Sequence, residues 1–379
     1  MLYIHIPFCK GKCIYCDFYS SGNPDWEKYL KAVALELKER IPELKGGSLS
    51  SIYLGGGTPS LIPGRIFTSF LQSVYSLLLE NHVSLPSDME VTIEVNPEDV
   101  STETVSAWKD AGINRVSMGV QSLNDSSLSF LKRRHDAVRA LNAFQLLNKS
   151  FDNISVDVIY GIPGENDEIV LDTLTRLLSL EPKHVSAYSL TYEDRTPLVV
   201  LRNRGVVREL TEEESLAQGL LVARTLESAG YERYEISNFA LPGFRSRHNS
   251  GYWDGRPYLG LGPSASSFDG VDTRRANKAD IKGYLSRFNP DNNSRLKFYD
   301  EEALSLEELR EERIFISLRT KEGISLDSFR KDFGVSTSQK LMNDAVRWLE
   351  SGHMIIRSNS LSLTAKGIPI SDYIILSLV

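Results

Sequence analysis

The sequence has few cysteines, and their placement excludes a disulfide framework. Only three occur in 379 residues, Cys9, Cys13 and Cys16, and all lie within eight consecutive positions. Three is an odd number, and bridges between such close neighbours would be strained. A chain of this length with no other cysteine is expected to use these three for chemistry.

Long apolar runs and an excess of basic charge are also missing. No stretch approaches the roughly 18 apolar residues that cross a bilayer. The segment Met1–Pro7 lacks the basic and long apolar regions of a signal peptide, so we expect a cytoplasmic protein. The 43 Lys and Arg residues against 50 Asp and Glu give a net charge of −7, which argues against a nucleic-acid partner. With 41% hydrophobic and 25% charged residues, the composition is that of a folded globular chain.

The first half of the chain alternates short apolar segments with amphipathic ones. Repeated βα units predict a parallel sheet, and about six of them predict a partial (β/α)6 TIM-type barrel. In such a fold the site is built at the C-terminal ends of the strands. The predicted strands are Leu2–Ile6, Ser51–Leu54, Glu90–Val95, Arg115–Val120, Ile154–Tyr160 and His184–Leu190. The predicted helices are Asp25–Ile41, Ile66–Leu79, Thr102–Ala111, Asp136–Asn148, Glu168–Leu180 and Thr211–Ala229.

The pattern changes after the barrel segment, which we expect to span residues 1–235. Residues 236–295 are expected to form an extension and a linker, since Phe288–Arg295 is a polar stretch. Residues 296–379 are expected to form a small α+β domain that resembles a winged helix. This domain has no dense basic run, so we expect a structural role for it. Its predicted elements are helices at Leu306–Leu318, Leu326–Phe333 and Gln339–Ser351 and a hairpin at Met354–Leu363 that turns at Arg357–Ser360.

The three cysteines follow the first predicted strand with the spacing Cys9-x3-Cys13-x2-Cys16. Thiolates spaced this closely can converge on one metal centre. Four cysteines would close an Fe4S4 cluster or a structural zinc site. Three leave one metal vertex without a protein ligand, where a substrate or cofactor could bind. The alternative is structural zinc with His5 as fourth ligand, although His5 would lie on the strand.

With Tyr15 before the last cysteine, this segment resembles the signature of the radical S-adenosylmethionine (SAM) family. The resemblance implies that Cys9, Cys13 and Cys16 hold an Fe4S4 cluster. It also implies that SAM chelates the fourth iron through its amino and carboxylate groups. An electron from the cluster then cleaves SAM to methionine and a 5′-deoxyadenosyl radical, so an electron donor is an implied partner.

Further motifs place polar groups at or just after strand ends. The glycine run before Thr58 leaves the main chain open to a small polar ligand, although such a run by itself is usually a turn. Glu94 lies in an otherwise apolar strand and needs a partner, for which a structural salt bridge is the alternative. The resemblance implies that SAM contacts Tyr3, Gly56, Gly57, Thr58, Glu94, Gln121, Arg133 and Asp157.

These motifs, and the C-terminal part of the chain, resemble one group within the family. It contains the oxygen-independent coproporphyrinogen III dehydrogenases (HemN) and the HemW-like heme chaperones. The dehydrogenases have a fourth cysteine two residues after the third, where this chain has Phe18. They also have an extended N-terminal segment, whereas this sequence starts two residues before Tyr3. Both differences favour the HemW-like proteins, which show Cys-Asp-Phe at this place.

A second motif points to the same group. His248-Asn249-x-x-Tyr252-Trp253 matches the H-N-x-x-Y-W motif of HemW-like proteins, whose histidine is implicated in heme binding. An imidazole can ligate heme iron, and neighbouring aromatic side chains can cover the macrocycle. The alternative is that the aromatic side chains belong to the core and His248 is a hydrogen-bonded loop residue.

The resemblance therefore predicts a cluster- and SAM-binding heme chaperone that delivers heme to an acceptor protein. The rival is an enzyme that decarboxylates two propionate side chains of coproporphyrinogen III by radical hydrogen abstraction. A third possibility is a radical SAM enzyme with an unrelated substrate, because cluster and SAM residues report the radical generator and not its target. The residues leave open the heme acceptor, the use of radical chemistry and the oligomeric state.

Overall fold

The structure is a computed structural model that describes residues 1–22, 24–44, 46–291 and 296–379. The end of the predicted linker, residues 292–295, lies outside this part. The strands are β1 Leu2–Ile6, β2 Ser51–Gly56, β3 Glu90–Val95, β4 Arg115–Gln121, β5 Asn153–Tyr160, β6 His184–Ser189, β7 Glu232–Arg233, β8 Asn238–Ala240, β9 Leu259–Leu261, β10 Ser266–Phe268, β11 Thr273–Asn277, β12 Tyr299–Ala303, β13 Ile324–Ser325, β14 Met354–Arg357 and β15 Ser360–Leu363. The helices are α1 Trp26–Arg40, α2 Gly64–Glu80, α3 Thr102–Asp110, α4 Asp125–Phe130, α5 Ala137–Leu147, α6 Asp167–Leu178, α7 Pro197–Asn203, α8 Glu212–Ser228, α9 Arg247–Trp253, α10 Ile281–Arg287, α11 Leu306–Ser317, α12 Leu326–Phe333, α13 Val335–Glu350 and α14 Ser371–Leu376.

The main sheet contains the six predicted strands side by side in chain order. Its order is β7-β8-β6-β5-β4-β3-β2-β1-β9, and neighbours from β1 to β6 run parallel. This confirms the predicted partial barrel of βα units. β9 pairs in parallel with the free edge of β1, and β8 pairs antiparallel with β6. The segment after residue 235 therefore extends the barrel sheet at both edges.

The interior face of the sheet carries polar side chains, whereas its outer face is apolar. In β2, Ile52 and Leu54 belong to the apolar core that packs the sheet against the helices. The alternate residues, Ser51 and Tyr53, form hydrogen bonds with interior groups. Bulky branched apolar residues fill a typical closed TIM barrel. A polar interior suits a polar ligand instead.

Helix capping explains why the predicted helices begin close to where they were expected. Asp25 caps α1 by accepting a hydrogen bond from the N–H of Lys28, and Thr211 and Glu214 form a capping box at the start of α8. α9, by contrast, was not predicted. It forms where Ser246 caps the segment and the buried carboxylate of Glu90 accepts its first N–H groups, a contact between distant parts of the chain.

The C-terminal part has a core of its own. The small sheet β13-β15-β14 and helices α11 to α14 surround a separate apolar cluster that includes Phe329 and Leu361. The predicted hairpin is present, and Ser358 and Asn359 both have positive φ at its turn. The small α+β unit is thus confirmed, whereas the two boundaries between the three predicted domains stay predictions. Among the described helices, none has the length and apolar character of a membrane span.

Candidate functional site

A cavity of about 940 Å³ opens at the C-terminal ends of the barrel strands, as the fold predicts. It has the size of a site that encloses small molecules. Twelve of the fifteen predicted site residues line it: Tyr3, Cys9, Cys13, Cys16, Gly56, Gly57, Thr58, Glu94, Gln121, Arg133, Asp157 and Tyr252. The fold therefore brings together side chains that lie up to about 250 positions apart in the chain.

The cysteine segment is held against the end of β2. The N–H of Gly57 donates to the carbonyl of Ile6, and the N–H of Thr58 donates to the carbonyl of Phe8, both at 2.8 Å. The Thr58 hydroxyl donates to Cys9 Sγ at 3.5 Å. These bonds place Cys9 beside the glycine run. The cysteine segment and the glycine run, which the sequence motifs predicted to be two parts of one site, therefore lie side by side.

All three cysteines are free and half-buried, and two of them have perturbed acidity. Burial raises the pKa of Cys9 and of Cys16, so both thiols favour the protonated form until a metal binds. The guanidinium of Arg133 donates to Cys13 Sγ at 3.4 Å. Such donors support the negative charge that a coordinating thiolate carries.

The zinc alternative lacks its fourth ligand. His5 lies on β1, and its Nδ1 shares a hydrogen bond with the Tyr3 hydroxyl while its Nε2 hydrogen-bonds the carbonyl of Tyr19. In the part of the chain that the structure describes, no three His, Cys, Asp or Glu side chains are grouped to hold a single metal ion. Three soft thiol donors on one loop suit a multi-iron cluster, whose irons can be ligated separately.

Glu94 has the partners that a buried carboxylate needs. Its Oε1 accepts a hydrogen bond from the Tyr53 hydroxyl at 2.8 Å, and its Oε2 accepts one from the N–H of Gly56 at 3.0 Å. Burial is the main cause that raises its pKa to about 7, and the hydrogen bond from Tyr53 opposes this rise. Among residues 1–22, 24–44, 46–291 and 296–379, no cationic side chain forms a direct salt bridge with Glu94, so its carboxylate can pair with a cationic group in the cavity.

Gln121 and Arg133 meet at an irregularity in β4. The register with β5 shifts between Gly119 and Gln121, and Gln121 has a φ of 68°. Such strain at a cavity is typical of a functional position. Arg133 donates to the carbonyl of Gly119 at 2.7 Å and to the Asn96 side chain at 2.6 Å. One guanidinium therefore connects two strand ends and the cysteine segment.

Asp157 lies in the interior layer of β5, is half-buried and lines the cavity. It accepts a hydrogen bond from Ser117 Oγ at 3.1 Å, and burial raises its pKa. The cavity end near Glu94 and Asp157 thus presents two carboxyl groups on different strands. Carboxylates in such positions can accept hydrogen bonds from an ammonium and from hydroxyl groups.

The H-N-x-x-Y-W segment divides between the cavity and its surroundings. Tyr252 lines the cavity, while His248, Asn249 and Trp253 are outside the lining. His248 is only 1% exposed, and both its ring nitrogens are hydrogen-bonded, to Ser51 and to Tyr252. Ligation of heme iron by His248 stays a prediction that requires one of these bonds to break.

Several residues at or beside the cavity were not predicted from the sequence. Tyr53 lies outside the lining and donates a hydrogen bond to Glu94, and Asn96 lines the cavity and accepts a hydrogen bond from Arg133. Tyr53 is an even number of positions from Gly57, and Asn96 is two positions after Glu94, so each is expected on the same face of its strand as a predicted site residue. This alternation was the signal that the sequence offered for both. Lys12 and Tyr188 also line the cavity, but isolated residues of these types give no signal in a sequence.

Comparison with protein families and curated proteins agrees with this geometry. Residues 3–177 match the model of the Radical SAM superfamily, and residues 304–370 match that of the HemN C-terminal domain. Heme chaperone HemW of Lactococcus lactis subsp. lactis (strain IL1403) is 32% identical over 379 residues, which cover 98% of this chain and 94% of the relative. Heme chaperone HemW of Bacillus subtilis (strain 168) is 32% identical over 339 residues, covering 88% and 87%.

A solved structure shares the whole fold. Coproporphyrinogen III oxidase (HemN) from Escherichia coli, described as a radical SAM enzyme, superposes with a TM-score of 0.82. The match covers 100% of this chain and 89% of the other, at 22% sequence identity. At this identity the likeness shows the fold, including both the barrel and the C-terminal unit.

Proposed function

The chain belongs to the radical SAM superfamily and, within it, to the group of the HemW heme chaperones, and on that premise we propose that it binds heme and transfers it to an acceptor protein. The radical SAM match implies an Fe4S4 cluster and SAM. We propose that both occupy the cavity described above. The observation that carries this proposal is that three thiols and eight predicted SAM contacts from separate strands line one cavity.

The donor set fits the two cofactors. Cys9, Cys13 and Cys16 are the ligands that we propose for the cluster. When bound, the cluster supplies the electron that cleaves SAM in this superfamily. Glu94 offers a carboxylate for the ammonium group of SAM, and Asp157 offers one for hydroxyl groups. Thr58 and Arg133 hold two of the sulfurs by hydrogen bonds.

Phe18 favours the chaperone proposal over the dehydrogenase alternative. It stands at the place of the dehydrogenases' fourth cysteine, lines the cavity and is 64% exposed. A large exposed aromatic side chain at a cavity mouth can pack on the face of a flat apolar ligand. This supports binding of a macrocycle beside Phe18. His248, Asn249, Tyr252 and Trp253 stay the predicted heme contacts, and of these Tyr252 lines the cavity.

We further propose a cytoplasmic protein that depends on a one-electron donor. The three cysteines are free, as is usual for thiols in a reducing compartment. A cluster with an open vertex needs such a compartment and an electron source to be used. The division into a barrel (1–235), an extension (236–295) and a C-terminal domain (296–379) is proposed on the same resemblance.

The direct test is an anaerobic heme titration of the cluster-reconstituted protein, followed by absorbance with and without SAM. We expect saturation at about one heme per chain, and transfer of this heme to apomyoglobin as a heme trap. The absence of saturable binding would contradict the chaperone proposal. Conversion of coproporphyrinogen III would favour the dehydrogenase, and SAM cleavage without porphyrin turnover would favour another substrate.

The cluster ligands have their own test. We expect Cys9→Ala, Cys13→Ala and Cys16→Ala each to prevent stable cluster assembly, because removal of one thiolate leaves a second iron without a protein ligand. Iron and sulfide content per chain after anaerobic reconstitution measures this. Thr58→Val is the control, since it keeps all three thiolates and removes only the hydrogen bonds of the Thr58 hydroxyl with Cys9 and Asn96. A full four-iron cluster in all three alanine variants would refute the assignment.

A further inference from the structure

A buried chain of three side chains runs through the barrel interior to the cavity. Ser51 Oγ shares a hydrogen bond of 2.8 Å with His248 Nδ1, and His248 Nε2 shares one of 2.9 Å with the Tyr252 hydroxyl. Burial, with smaller contributions from the N-terminal ammonium and Arg115, lowers the pKa of His248 to about 3. The ring is therefore neutral, with one nitrogen as donor and the other as acceptor, and both are used.

His248 also supports the tyrosine that holds Glu94. Its ring stacks on Tyr53 with centroids 4.9 Å apart and an interplanar angle of 25°. The Tyr53 hydroxyl in turn donates to Glu94. The edge of the His248 ring packs against Tyr252 at 5.0 Å and 86°. One imidazole thus contacts two tyrosines, of which one binds Glu94 and the other lines the cavity.

These contacts leave no ring nitrogen for iron. A neutral imidazole has one lone pair, and in His248 it already accepts a hydrogen bond from Ser51 or Tyr252. Iron ligation would break that bond, and where the donor is the buried Ser51 hydroxyl it would leave that group without a partner, which costs about 1–3 kcal/mol. The geometry favours another role for this residue of the H-N-x-x-Y-W motif.

We propose that His248 is a positioning residue for the SAM site, which holds Tyr53 and Tyr252 in place and thereby orients Glu94 toward the cavity. This inference rests on the proposed binding of SAM at Glu94. Loss of the imidazole removes the stacking surface of Tyr53 and frees the Tyr252 hydroxyl. Glu94 then loses its fixed orientation, and SAM binds less tightly.

The barrel contains a matched control. Ser155 Oγ, His184 and the Tyr234 hydroxyl form a second chain of the same kind, with hydrogen bonds of 2.7 and 2.8 Å. His184 is fully buried, as His248 is. Neither His184 nor Tyr234 lines the cavity. His184→Ala therefore reproduces the folding cost of His248→Ala without touching the tyrosines at Glu94.

The test compares SAM and heme binding in these variants after cluster reconstitution. We expect His248→Ala to raise the Kd for SAM by roughly tenfold or more, the equivalent of one or two lost hydrogen bonds. His184→Ala should keep the SAM affinity within about twofold, because distant sites act independently. The change that SAM causes in the electron paramagnetic resonance spectrum of the reduced cluster should weaken in parallel. The heme stoichiometry of His248→Ala is measured on the same samples as its SAM affinity.

Two conservative variants keep the proposal open to refutation if the alanine variant unfolds. His248→Gln retains a donor and an acceptor, and it should restore most of the SAM affinity. Tyr252→Phe should weaken SAM binding, and its effect should not add to that of His248→Ala, because both break one chain. Loss of heme binding with unchanged SAM affinity in His248→Ala or His248→Gln would overturn the proposal. A wild-type protein that binds neither ligand would refute the proposed function instead.

Discussion

At the scale of single residues, the pKa of Glu94 determines whether its carboxyl group is ionised when a ligand enters the cavity. Tyr53 and Asp157 face this carboxyl group along with the cation of Arg115, and burial outweighs the favourable partners. The pKa of about 7 means that roughly half of the free protein carries a neutral Glu94 at neutral pH. An ammonium group favours the ionised form, so binding of SAM at this carboxylate is coupled to proton release.

We therefore predict that SAM binds more tightly as the pH rises toward neutrality. If only ionised Glu94 binds the ammonium, the Kd should fall about fivefold between pH 6 and pH 7, since the competent fraction grows by that factor. Equilibrium dialysis with labelled SAM, at constant iron content, measures this. Glu94→Gln should bind weakly and without this pH dependence. A wild-type affinity that is flat over the interval would contradict the role of Glu94.

At the scale of elements, the end of β2 shows what the glycine run does. Gly57 lies where the backbone of β2 meets the backbone that leaves β1. A Cβ on Gly57 would lie 2.5 Å from the carbonyl oxygen of Ile6 and 2.8 Å from that of Phe8. The sequence indicated that a ligand could approach the main chain closely at the glycine run. At Gly57 it is the protein's own backbone, after β1, that makes this close approach. This contact fixes the start of the cysteine segment relative to the sheet.

We predict that Gly57→Ala destabilises the protein by about 1–3 kcal/mol, because rigid backbone atoms must shift. The shift should also lower the iron content after reconstitution. Denaturant unfolding and iron analysis measure the two effects. Gly11→Ala is the control within the cysteine segment, where the nearest atom to an added Cβ is 3.9 Å away. Equal iron contents in both variants would refute the positional role of Gly57.

At the scale of the whole molecule, the barrel and the C-terminal unit have separate apolar cores, and polar contacts connect the two units. The barrel core includes Phe67, and the C-terminal core includes Phe329. Between them, Arg245 bridges Glu322, and residue 235 forms an isolated β-bridge with residue 320. Exposed ion pairs contribute little to stability. The two units are therefore expected to lose structure with limited coupling.

We predict that Phe329→Ala destabilises the C-terminal unit by about 3–5 kcal/mol while the barrel keeps its ligands. Iron content and SAM affinity should stay within about twofold of the wild type. Phe67→Ala makes the same truncation in the barrel core and should reduce both. Calorimetry together with SAM binding measures the difference. Equal losses of SAM affinity in the two variants would show one cooperative unit.

The sequence by itself determined the local features of this protein. The cysteine spacing, the alternation of six strands with helices, and the capping residues of α1 and α8 depend on neighbours within a few positions. Eleven of the twelve site residues at the cavity could be predicted to meet because parallel strands end at one edge of a sheet, whereas Tyr252 comes from α9, which was not predicted. These are consequences of periodicity and chain direction.

Only the tertiary structure decided which buried polar groups pair. His248 meets Ser51, and Glu90 binds the start of α9, across separations of 197 and about 157 positions. β9 completes the sheet beside β1 although it is three residues long. Such contacts arise because a buried polar group must find a partner wherever the fold supplies one. The local sequence pattern does not identify such a distant partner. The contacts of His248 could therefore be known only from the packed barrel and not from the H-N-x-x-Y-W motif.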